Sequence, residues 1–277
     1  MHTIFLEGGL GNQLFMTFTV LGHAMKHKTP FFFEDRAITT GTRTKTYWDT
    51  LLKTLSIFRQ KLEAKYAYRE PGHHYNEIPS FPDNAVIRLH GYFQSYKYFH
   101  EYRDSIFKSI ELERQKDRLV LKLSERDWDN TISMHFRIGD YKNLSQYHPI
   151  QPIEYYTKAL ANFRDDSNWT VLYFCEEQDV DEVNMKINIL REQYPKLTFE
   201  RMEEKLEDWE EMLAMSLCRH HIIANSSFSY FGAYFNTREE VQVYYPSLWL
   251  GPALSHKRID DMCPPNWTQI DKKILHS

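Results

Sequence analysis

Thr131-Ile-Ser-Met-His-Phe-Arg-Ile-Gly-Asp-Tyr141 is an alternating run that ends abruptly in a glycine, an acid and an aromatic. Ile132, Met134, Phe136 and Ile138 fall on one side and Ser133, His135 and Arg137 on the other, the period-two pattern of a strand. Gly139 permits a tight turn. Asp140 and Tyr141 therefore arrive at the carboxyl end of the strand, where α/β proteins place ligand-binding groups. A half-buried strand carrying a plain Arg137–Asp140 ion pair explains the same residues, so this stretch alone predicts a strand and leaves its chemistry open.

Working back to the start of the chain, residues 3 to 6 predict a buried first strand. Glu7-Gly-Gly-Leu-Gly-Asn-Gln13 is a glycine-rich turn, and Leu14, Phe18, Leu21 and Met25 stand at helical spacing over 14 to 25. Strand, glycine loop and helix make a nucleotide-type βα unit. The glycines do not complete a dinucleotide fingerprint, because Leu14 stands where a third glycine belongs, and no Lys-Ser/Thr pair follows to make a P-loop. A simple tight turn remains open.

Beyond it come a polar stretch at 39 to 45 with Gly41, Arg43 and Lys45, a predicted helix over Tyr47 to Arg59, and loops at 71 to 75 and 79 to 83. His73 and His74 are adjacent and read as surface histidines rather than metal ligands. Ala85 to Gly91 predicts a strand, and the aromatics after it (Tyr92, Phe93, Tyr96, Tyr98, Phe99) fit either the lining of a cleft or packing, with packing the favoured reading. The charged segment Glu111 to Asp129 predicts a helix joining two halves of the molecule.

Working forward from Tyr141, the pattern predicts a helix from Pro152 to Phe163, a strand over Thr170 to Phe174, a polar loop Cys175-Glu-Glu-Gln-Asp179, a helix over 180 to 193 and a strand over Leu197 to Glu200. Glu207 to Cys218 is a helix with Trp209, Met212, Leu213 and Leu217 on one face. His221 to Ala224 is a buried strand, Asn225-Ser-Ser-Phe-Ser229 a loop, and Tyr230 to Phe235 a helix. Serine hydroxyls and free amides at a helix start suit an anion, although Ser227 or Ser229 acting as an ordinary N-cap fits equally well. His220 and His221 read as structural. Repeated strand and helix alternation argues for parallel sheets.

A chain of 277 residues, 42% hydrophobic, can bury a large core as one large or two modest domains. A net charge of -4 offers nucleic acid no global attraction, so any phosphate site is local. Three cysteines far apart fit neither a disulfide framework nor a zinc site. With no basic n-region and no apolar run of membrane-spanning length, the expectation is a cytoplasmic protein without signal peptide or anchor.

Three motifs taken together, Gly-Gly-Leu-Gly-Asn-Gln at 8 to 13, His-x-Arg-x-Gly-Asp-Tyr at 135 to 141 and Ala-Asn-Ser-Ser-Phe-Ser-Tyr-Phe-Gly-Ala at 224 to 233, resemble the α-1,2-fucosyltransferases of glycosyltransferase family 11. The resemblance spans residues 3 to 250. It implies a GT-B fold, two Rossmann-like α/β domains facing across a cleft: residues 1 to 125 on the acceptor side and 126 to 277 on the donor side, the last segment packing back on the first domain. It implies inverting, metal-independent transfer of fucose from GDP-fucose to a glycan, with no cofactor. Oligomeric state is not readable. Arg137 then resembles the diphosphate-binding arginine, His135 the motif histidine, and Asn12, with Gly9 and Gly11, the loop brought up to the donor. Asn225, Ser226, Ser227 and Phe228 match the later phosphate-binding loop.

Against the family pattern, Ile138 replaces a second arginine, Cys175-Glu-Glu replaces a Ser-Asp-Asp-like loop, Glu211 stands where an aspartate contacts the donor, and Tyr230-Phe231 replaces Trp-Trp. Asp140 and Glu7 are the carboxylates placed to act as general base, Asp140 alternatively as the group that orients Arg137. A transferase for another GDP-sugar and a non-catalytic glycan-binding protein are the rival readings.

Overall fold

The fold is described from a computed structural model, over residues 1–36, 44–82, 85–163 and 168–271. Gly41, Arg43 and Asp83 lie outside the described residues. Two compact units share the chain: Met1–Arg118 with Lys257–Pro264, and Leu119–His256 with Pro265–Ser277.

In the first unit, β1 (His2–Ile4), β2 (Phe31–Glu34), β3 (Arg59–Gln60), β4 (Tyr66–Arg69) and β5 (Ile87–His90) form a sheet ordered β3-β2-β1-β5-β4, every pairing parallel. Thr3 and Ile4 are fully buried, as expected of a central strand covered on both faces. Helix α1 (Leu10–His27) crosses from β1 to β2 and buries Leu14, Phe18 and Leu21. It begins four residues earlier than its apolar spacing predicts, because Gly8 at φ +77 makes the turn and Gly9 is already the N-cap. It stops at Lys28 in the left-handed conformation, after Lys26 and His27 at the negative end of the dipole.

The helix predicted over Tyr47 to Arg59 is not formed. That segment is a run of turns, a 3₁₀ helix at Lys53–Phe58 and then β3. Trp48, Leu51, Leu52 and Leu55 are buried as their spacing requires, but Arg59 and Gln60 join the ladder beside β2 and Arg59 pairs with Asp35. Tertiary pairing overrides a weak local preference here. Helices α2 (Arg103–Ser109) and α3 (Leu112–Val120) follow β5, and α3 ends well before Asp129, leaving Leu121 87% exposed.

The second unit contains β6 (Thr131–His135), α4 (Ile153–Leu160), β7 (Thr170–Phe174), α5 (Val180–Gln193), β8 (Thr198–Arg201), α6 (Asp208–Leu217), β9 (His220–Ile222), α7 (Ser227–Tyr234), β10 (Val243–Pro246) and β11 (Thr268–Ile270). The sheet runs β11-β10-β9-β6-β7-β8, all parallel. Counted within the unit this is the doubly wound order, with the chain reversing direction between β6 and β9. Ile132, Met134, Phe136 and Ile138 pack in one core with Tyr156, Val183 and Ile187. The opposite face of β6 is buried too: Ser133 bonds His221 at 2.7 Å, and His221 reaches Asn236 at 2.8 Å. β6 is therefore a central strand covered on both sides rather than a half-buried one, and His221 is structural as expected. Ile138, in the place of a second arginine, is a core residue, 2% exposed.

Candidate functional site

The carboxyl ends of β6 and β9 diverge at the point where the sheet reverses, which is where doubly wound proteins open a ligand crevice. The His-x-Arg-x-Gly-Asp-Tyr segment leaves β6 there and the Asn-Ser-Ser-Phe segment leaves β9. Tyr141 ties them, its hydroxyl donating to the Asn225 carbonyl at 3.0 Å. His135 lies 5.7 Å from the Phe228 ring, centroid to centroid. Burial, reinforced by the nearby Arg137 charge, pushes the His135 imidazole down to about 3, so it is neutral in ordinary buffers. Its Nδ1 is buried and finds no hydrogen-bond partner among the described residues.

Arg137 extends from the end of β6 with its side chain only 10% exposed. One terminal nitrogen pairs with Asp140 and the other with Glu176, and the guanidinium carbon sits 5.2 Å from the centre of the Tyr141 ring. The ion pair that the plain reading anticipates is present, and a second carboxylate joins it. Gly139 is held at φ +23, its amide donating to Asp179 at 2.6 Å; a Cβ there would lie 2.6 Å from a Glu176 oxygen. Asp179 is buried and also accepts from Lys142 at 3.0 Å, while Lys142 reaches Glu182 at 3.1 Å.

The β7–α5 loop thus supplies two acids that shape the arginine turn, Glu176 on the guanidinium and Asp179 on the backbone. Neither is singled out by local sequence reasoning. The available signal is placement, since β7 is the parallel neighbour of β6 and its loop emerges at the same edge.

On the other side, Ser226 is the N-cap of α7, its hydroxyl accepting from the Phe228 amide at 3.3 Å; the cap is neither Ser227 nor Ser229. Ser227 opens the helix at the positive end of its dipole. The Asn225 amide group donates to the Pro149 and Trp249 carbonyls at 3.0 and 3.1 Å, bracing two neighbouring segments. Its Oδ1 is buried without a partner among the described residues. Glu211 lies on α6, and burial together with Asp208 and Glu176 outweighs Arg201 to push its carboxyl up to about 7. Tyr230 and Phe231 are fully buried, Tyr230 against Trp267 at 4.9 Å.

Glu7, Gly9, Gly11 and Asn12 belong to the first unit, at the carboxyl end of β1. Gln13 donates from one amide nitrogen to the Gly8 and Lys45 carbonyls at 2.9 and 2.8 Å, fixing the glycine turn from behind. Asn12 accepts from Gln94 at 2.8 Å, which links the β1 loop to the β5 loop across this unit's own reversal point. The β5 loop is itself held by Glu70, which accepts from the Phe93 amide at 2.9 Å where Phe93 takes φ +51. Burial pushes the Glu70 carboxyl up to about 7. Of the aromatics in that loop, Phe93 and Phe99 are fully buried and Tyr98 nearly so, whereas Tyr92 and Tyr96 are half-buried.

The model of glycosyl transferase family 11 matches residues 1–271. This chain belongs to that family. Among curated relatives, the O-antigen biosynthesis glycosyltransferase WbnK of Escherichia coli is 30% identical over 169 residues, 58% of this chain and 54% of the relative. An alpha-1,2-colitosyltransferase of Escherichia coli is 26% identical over 195 residues, 67% of this chain and 63% of the relative. The match thus spans between about half and two thirds of those relatives. Among solved structures, POFUT1 in complex with GDP-fucose superposes with a TM-score of 0.50 at 11% identity, over 88% of this chain and 97% of that one. The fold of this family 11 chain is accordingly GT-B, an α/β architecture with two parallel-sheet domains. Among the described residues, no helix is long and apolar enough to cross a membrane.

Proposed function

We propose that this chain is an inverting, metal-independent glycosyltransferase that moves L-fucose from GDP-β-L-fucose to a glycan hydroxyl, forming an α-1,2 linkage. The observation that carries the reading is the convergence, at the reversal point of a doubly wound sheet, of the Arg137 turn and the segment that opens α7, joined by the Tyr141 hydroxyl on the Asn225 carbonyl. Membership of family 11 supplies the reaction class. The second unit takes the donor and the first the acceptor.

In the reaction the acceptor oxygen attacks the anomeric carbon, the bond to the β-phosphate oxygen breaks, and GDP leaves with the electron pair. Negative charge grows on that oxygen. Arg137 and the amides around Ser227 answer it, supplying the positive field that other transferases draw from a metal. His135 stays neutral and adds a polar edge beside Phe228. The acceptor proton goes to a carboxylate. Asp140 is engaged with Arg137, which favours an orienting role for it and makes Glu7 the first base to test. Glu211 is proposed to meet the nucleoside.

Turnover of GDP-fucose against galactosides, N-acetyllactosamine-type acceptors and fucose- or rhamnose-terminated acceptors tests the reading, with product linkage assigned by NMR and one arm run in EDTA. An α-1,2-fucosylated product, formed equally well in EDTA, is expected. Absence of product with every acceptor, or loss of activity in EDTA, overturns it. A second reading, transfer of a different sugar from the same kind of donor, is favoured by the alpha-1,2-colitosyltransferase relative. A panel of GDP-sugars separates the two.

A further inference from the structure

We infer that Glu176 is an internal occupant of the diphosphate seat: it holds one half of the Arg137 fork until the donor arrives, and the diphosphate takes its place. The inference rests on the proposed role of Arg137 and goes beyond it by assigning a function to a residue of the β7–α5 loop.

Both terminal nitrogens of Arg137 are already paired with carboxylates, Asp140 on one and Glu176 on the other. The arginine side chain is 10% exposed, whereas the two carboxylate side chains above it are 49% and 42% exposed. An anion coming from solvent therefore meets the acids before the guanidinium. A diphosphate held beside two ionised carboxylates is repelled by both, and bidentate contact with the fork needs one of them to withdraw.

Glu176 is the one free to do so. Asp140 lies three residues from Arg137 on the same turn, and Asp179 pins that turn through the Gly139 amide. Glu176 comes from a separate loop on a longer side chain, and among the described residues its second oxygen accepts only from Gln178, itself exposed, at 2.9 Å.

The test is calorimetric titration of GDP, and separately of guanosine, into the wild-type chain and the R137A, E176Q and E176D variants, each checked for folding by circular dichroism. R137A should lose most GDP affinity. E176Q should bind GDP about two- to fivefold more tightly, the span that one exposed ion pair commands, with guanosine unchanged. E176D, one methylene shorter, should shift the same way by less, and it decides the question by the same signs if E176Q does not fold. A residue that merely supports the site would do the reverse, weakening GDP when removed. Equal or weaker GDP binding by E176Q alongside a loss in R137A overturns the inference alone. Tightening that appears equally with guanosine also overturns it. Equal GDP binding by wild type and R137A overturns the diphosphate role of Arg137, and this inference with it.

Discussion

Arg137 combines two demands that only a guanidinium meets together: a fixed fork, and a charge that survives burial between two acids. Arg137→Lys keeps the charge and loses the fork. Turnover of GDP-fucose by that variant should fall by about a hundredfold to a thousandfold, the range seen when a donor to a developing oxyanion is removed, with the thermal midpoint little changed. Near-normal turnover would sink the phosphate role. Glu211 offers a second test. A carboxyl that titrates near 4.5 in the unfolded chain and near 7 when folded destabilises the fold as pH rises between those values, because the unfolded state gives up its proton first. Glu211→Gln should therefore raise the melting temperature at pH 8 and leave it unchanged near pH 4.5; a shift of equal size at both values would remove the electrostatic cause. Arg137 and its partner Asp140 were legible in the sequence, since three residues on one turn form a local relation. For Glu176 and Asp179 the sequence marked only a polar loop after a strand: their contacts with that turn are made by strand pairing about forty positions away, which local pattern does not specify.

At the scale of elements, period-two and period-3.6 patterns located β1, β5, β6, β7, β8 and β9 and most helices within a few residues, because all of these strands except the edge strand β8 lie inside their sheets and the helices are amphipathic, each with a sharp apolar signal. The strands without an assignment from sequence, β2, β3, β4, β10 and β11, are short; β3 and β4 are edges of one sheet and β11 an edge of the other, where little periodicity is required. The join between α1 and β1 hides a further feature. His2, His23 and His27 form a ring cluster, His2 edge-on to His23 at 4.5 Å and His23 tilted against His27 at 4.4 Å, with Phe81 against it, and each Nε2 is buried without a partner among the described residues. Burial, with the N-terminal charge beside His2 and the other rings beside His23, pushes His2 down to about 4 and His23 to about 3. Below pH 6.5 the unfolded chain binds protons that these rings exclude, so stability is full above that value and declines as pH falls from about 6.5 towards 4. His23→Phe should flatten that decline in a melting series from pH 7.5 to 5. An unaltered slope would show that the cluster does not set the acid limit.

For the molecule as a whole, each unit carries its own parallel sheet, but the first unit is not a continuous stretch of chain. Lys257–Pro264 returns to it as a strap: Asp261 accepts from the Tyr75 amide at 3.1 and 2.9 Å, and Met262, which accepts from the Tyr96 amide at 3.2 Å, is buried together with Cys263. Asp261→Ala leaves the half-buried Tyr75 amide without its acceptor and should cost the first unit about 1 kcal/mol, the low end of the penalty for an unmet donor. Hydrogen exchange should show faster opening around Tyr75 and Tyr96 with the β6 to β9 strands unaffected; a uniform change would argue against a local strap. The strap also sets an order of events during synthesis. The ribosome releases the amino-terminal sheet first, yet the piece that closes it emerges only after β6 through β10 have been made. The domain begun first is thus finished late, after the strands of its neighbour have been made.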